Sequence, residues 1–229
     1  ELYPECRGWL FFEKDYINYL SSKEHNERMV AFVALPVLFK TNHDAFDKKC
    51  LQQILVTFDG LISQKGSHRQ AALEGLTQYI LTRSEFHNQL EGNLDKHMTR
   101  FYDFEIPLIT EIIKKIMKNV ESDVAAACLA ALALVSHTIF PQCSAQIFSR
   151  PLSQLLVTSL KELIRVYPNL EQNILKGVIN NANEFLLSTK SLPQNVVLAF
   201  DAYRQLNVPL DKIPIHLILE YAHHLTSEN

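Results

Sequence analysis

"SDVAAACLAALALVSHTIF", residues 122–140, decides what kind of fold this sequence can make. Ser122 stands where a helix N-cap belongs, and Asp123 suits the positive end of a helix dipole. Every residue from Val124 to Val135 is apolar, so a helix here has no wet face. A helix that is apolar all round must be covered on every side. The run is short of the ~20 residues a membrane-spanning helix needs. Its many alanines let neighbouring helices approach closely. The stretch therefore predicts the inner helix of a layered helical stack.

Outward from it, apolar spacing is helical almost everywhere. In 44–64, Phe46, Cys50, Leu51, Ile54, Leu55, Phe58, Leu61 and Ile62 form one buried stripe at i, i+4, i+7. Residues 68–83 carry Ala72, Leu73, Leu76 and Ile80 on one face, and Ser84 is placed to cap a separate helix over 85–99. In 105–120, Ile106, Ile109, Ile113, Ile116 and Val120 face inward, with Lys114, Lys115 and Lys118 on the wet side. Further helices are predicted at about 151–166, 169–189, 193–206 and 211–226. Pro36, inside the apolar "MVAFVALPVLFK", predicts a kink or a break. Pro141 predicts a turn after the alanine-rich helix.

The count is about ten helices and no strand. Only 6 glycines and 9 prolines stand in 229 residues, too few turn formers for a many-stranded β fold. No linker rich in glycine, serine or charge divides the chain, so one domain over 1–229 is expected. A chain beginning at Glu1 rather than methionine is expected to be a fragment of a larger protein. Four cysteines, at 6, 50, 128 and 143, form no Cys-x-x-Cys pair and suit small buried hydrophobes in a reducing, intracellular compartment, cytoplasmic or nuclear.

Formal charge is −3, and residues 1–120 and 121–229 are both close to neutral. No broad basic field is available for a phosphate backbone, which disfavours nucleic acid as the main partner. No phosphate loop, nucleotide-binding glycine motif, nucleophile elbow or His-Glu-x-x-His occurs, so no enzymatic activity and no cofactor are expected. Cys128 and His137 are too far apart on one helix to touch; Cys143 is nearer to His137 but lacks a third orienting group. The nearest thing to a metal pattern is His216, Glu220 and His223 or His224 on the last helix, with His87, Glu91 and Asp95 as matching types elsewhere. Histidines in a helix's final turn are otherwise accounted for by its dipole, so no metal is expected.

"LKGVINNANEF", 175–185, places asparagines inside a helix. Ile174, Leu175, Val178, Ile179, Ala182, Phe185 and Leu186 make a continuous apolar arc, bordered by Asn181 and Asn183, while Asn180 points away. Asn181 lines up with Gly177 and Glu184 into a shallow polar strip. Such border asparagines satisfy a neighbouring loop's backbone, present donors and acceptors to a partner, or simply face solvent.

With "VESDVAAACLAALALVSHT" (120–138), its Glu121 and Asp123 ahead of an alanine-rich helix, and "LKGVINNANEF", the chain resembles the armadillo and HEAT class of helical repeats. The resemblance implies a right-handed α-solenoid of helix pairs, and inward asparagines that pair with the backbone of an extended peptide. The expected function is a non-enzymatic scaffold binding a peptide or helix of a protein partner, through Gly177, Asn181, Asn183 and Glu184. The alternative is self-association through the aromatic cluster Trp9, Phe11, Phe12, Tyr16 and Tyr19. A helical-bundle metal protein or enzyme ranks below both.

Overall fold

The computed structural model describes residues 18–20, 22–41, 46, 48–90, 101–188, 193–216, 218–219 and 222–223. Among them every regular element is helical and none is a strand, as the apolar spacing predicts. The chain divides into two compact units, Glu1–Asn119 and Val120–Asn229.

The first unit carries α1 (His25–Thr41), α2 (Lys48–Ile62), α3 (Ser67–Leu90) and α4 (Glu105–Met117). On α2 the predicted stripe is the buried one: Cys50, Leu51, Ile54, Leu55, Phe58, Leu61 and Ile62. Pro36 does not break α1, which runs on to Thr41. A proline inside a helix costs about 3 kcal/mol. Burial of Phe32 and Leu35 in the same helix offsets this, at roughly 1.5–3 kcal/mol for each such side chain.

Ser84 caps no helix; it is fully buried inside the continuous α3. No glycine or proline interrupts 80–90, and Thr82, Arg83 and Ser84 all turn inward, so packing holds the helix together across that point. The predicted positions 91–99 lie outside the described residues.

Contacts within this unit run in a consistent order. Along α1 and α3, Arg28 meets His68, Phe32 packs at Gly75, Phe39 meets Tyr79 and Phe86, and Lys40 pairs with Glu85. Rising numbers on one helix meet rising numbers on the other, so the two run parallel. The same holds for α2 and α4, where Lys48 lies over the Phe104 ring just ahead of α4 and Asp59 pairs with Lys115. The adjacent α2 and α3 are joined by a short turn that uses Gly66 at φ 74, in the left-handed region open to glycine. Arg69 ties that end together, donating to the carbonyls of Ile62 and Asn119 at 3.0 and 2.8 Å.

The second unit carries α5 (Asp123–Leu132), α6 (Ile139–Ile147), α7 (Gln154–Val166), α8 (Glu171–Ser188) and α9 (Pro193–Gln205). Ser122 caps α5 as predicted, its Oγ accepting from the Ala125 N–H at 3.2 Å. Everything from Ala125 to Leu134 is buried, which is how a helix without a polar side survives in water. The helix is shorter than the apolar run; it tightens into a 3₁₀ turn over Ala133–Val135 and ends at the extended Ser136. Pro141 then lies in the first turn of α6, where its missing N–H is not needed, instead of marking a turn. Helix α6 is one that the spacing did not predict.

Ser153 caps α7 by accepting from Leu156 N–H, and Asn207 ends α9 in the left-handed region at φ 54. There the Val208 N–H returns to the Tyr203 carbonyl at 2.9 Å, and both side chains are buried, the hydrophobic closure of a Schellman cap. Helices α5 and α7 run parallel: Arg150, ahead of α7, donates to Val120, ahead of α5, and the Tyr167 hydroxyl, past the end of α7, donates to Leu134, past the end of α5. Helix α9 departs from that order. Gln205 at its end exchanges amide hydrogen bonds with Gln154 at the start of α7, both at 3.1 Å.

Candidate functional site

The asparagine strip of α8 is built from its backbone outward. Gly177 has no side chain because a ring occupies the space: a Cβ there would stand 2.2 Å from Phe148 Cε2. One turn on, Asn181 is 2% exposed. Its Nδ2 donates to the carbonyls of Phe148 and Arg150, each at 2.8 Å. These carbonyls belong to the turn that follows α6 and leads to α7. Only the NH₂ end of a carboxamide can face two carbonyls, so the orientation of the side chain is fixed. Its Oδ1 is buried and has no hydrogen-bond partner among the described residues.

The polar strip is therefore not an open groove. Phe148 covers Gly177, and the donors of Asn181 are taken by the chain's own backbone, which would otherwise bury two unsatisfied carbonyls. Asn183 is half-buried, with its Oδ1 covered and unpartnered among the described residues. Glu184 and Asn180 are exposed. Of the predicted contact residues, Glu184 alone faces solvent freely.

A polar centre that the spacing did not single out lies in the first unit. Arg83 on α3 and Glu105 at the start of α4 are 3% and 0% exposed. They pair through two parallel contacts, Nη1 to Oε1 and Nη2 to Oε2, the latter at 3.0 Å. Glu105 Oε2 also accepts from the Tyr102 N–H at 2.8 Å, satisfying a free donor ahead of the helix. The guanidinium lies against three rings, with centroids at 4.9 Å for Phe101, 5.4 Å for Phe39 and 5.5 Å for Tyr79. Burial works against its charge, but Tyr79 and Glu105 more than offset this and raise its pKa above the ordinary value. Burial likewise pushes the Tyr79 phenol up, although Arg83 pulls it down. The two opposite charges balance one another inside the unit, held by the paired contacts and the Tyr102 N–H. Sequence carried a signal for it: Arg83 continues the stripe of Leu76 and Ile80, and Glu105 precedes Ile109 by one turn. Opposite charges on two apolar stripes call for each other.

The other predicted groups do not assemble into a site among the described residues. His216 and His223 are exposed, His87 is half-buried, and Glu91, Asp95, Glu220 and His224 lie outside the described residues. No three His, Cys, Asp or Glu side chains among the described residues could hold a metal together. Cys143 is buried, its Sγ donating to the Ile139 carbonyl at 3.2 Å, and burial pushes its thiol up to about 12, far from a nucleophile's range. His137 is exposed, its ring centroid 6.0 Å from that of Tyr167. Lys114 and Lys115 are paired with Glu111 and Asp59, both at 2.6 Å, and Lys118 is exposed. Of the aromatic cluster, Tyr19 is half-buried, while Trp9, Phe11, Phe12 and Tyr16 lie outside the described residues. No helix among the described residues is long and apolar enough to cross a membrane.

No protein-family model matches the chain, and no curated protein and no solved structure matches it.

Proposed function

We propose that this chain is a non-enzymatic scaffold, a right-handed α-solenoid of armadillo/HEAT-like helix pairs that binds a peptide or helical segment of a protein partner. It would serve as a domain of a larger intracellular protein. The observation that carries this reading is the parallel order of alternate helices within each unit: α1 with α3, α2 with α4, α5 with α7. Two layers of parallel helices are how stacked helix pairs are built, and such stacks offer extended surfaces to partners. Helix α9 departs from the order. Gly177 and Asn181 are covered, so among the expected contact residues Glu184 is the exposed one.

The intact chain, immobilised and exposed to cell extract, tests the reading. A protein captured above background, and then bound saturably when purified, supports it. Absence of any captured protein, together with a melting temperature raised by a metal or small molecule, would reject it.

Self-association is the second reading, favoured by one observation. Val30 and Val33 on α1 are 54% and 72% exposed, on the side away from the Arg28, Phe32 and Phe39 contacts with α3. Sedimentation velocity separates the two: a concentration-dependent dimer favours self-association, and a strict monomer excludes it.

A further inference from the structure

We draw no further inference here: the strongest candidate, the exposed apolar patch of Leu210, Ile215, Ile218 and Leu219 beyond α9, is an unpartnered face, and nothing in the structure shows what covers it.

Discussion

Asn181 on α8 holds the carbonyl of Phe148 at 2.8 Å, and the same amide holds that of Arg150, so one side chain clamps two carbonyls of the turn between α6 and α7. The role requires a donor. Asn181→Asp replaces the NH₂ with an acceptor facing two carbonyls and is expected to cost about 3 kcal/mol or more, since a buried charge then lacks a partner. Asn181→Leu keeps the size but leaves both carbonyls unsatisfied, at about 2–3 kcal/mol. Exposed Asn180→Asp should stay within about 0.5 kcal/mol. Urea midpoints of the three variants give the order; an Asn181→Asp midpoint equal to that of Asn180→Asp would contradict the assignment.

Gly177→Ala should destabilise, although alanine is the better helix former by about 1 kcal/mol. The new Cβ collides with the Phe148 ring, and displacing a packed ring costs about 1–3 kcal/mol. Phe148→Leu in the same chain should recover part of the loss. A thermal melt in which Gly177→Ala is more stable than wild type would show that the ring moves aside freely.

Arg83 and Glu105 form a buried pair, so removing one partner strands the other. Arg83→Met and Glu105→Leu are each expected to cost about 3–5 kcal/mol, and the double variant less than their sum. A double-mutant cycle measured by chemical denaturation reads the coupling directly. Additive losses would mean that the pair is not coupled.

Alkaline pH should weaken the fold well before the backbone is affected. The Cys143 thiol is pushed from 9.0 up to about 12 and the Tyr203 phenol from 10.0 up to about 12, in both cases by burial. Above pH 9 the unfolded thiol releases its proton while the folded one keeps it, and the phenol follows above pH 10. The unfolded state then binds fewer protons, so stability falls as pH rises toward 12 and is fully present below 9. Cys143→Ala should flatten the first part of that fall. An equal slope between pH 9 and 10 in both proteins would remove the thiol from the explanation.

Much of the helical layout was legible because burial repeats along a helix at a period the sequence shows openly. The stripe of α2 and the cap at Ser122 are local facts, decided within a turn or two. What the spacing could not show depended on distant neighbours. Ser84 looked like a cap because serine favours caps, but its inward position inside α3 is set by packing. Pro141 looked like a turn because its place in the first turn of α6 depends on where α5 ends. The asparagine strip was legible as a border feature, while its covering by Phe148 was not, since Phe148 lies some thirty positions earlier. Arg83 and Glu105 were readable in principle, each being a charge on an apolar stripe.

Isothermal titration of the intact, purified chain with its captured partner reads protein binding itself. Saturable binding should survive Asn181→Gln or Gly177→Ala in any variant that still folds, because Gly177 and Asn181 are covered. Saturable binding abolished by those substitutions in folded protein would contradict the placement of the surface. No saturable binding to any captured protein, alongside a metal or small molecule that raises the melting temperature, would contradict the scaffold itself.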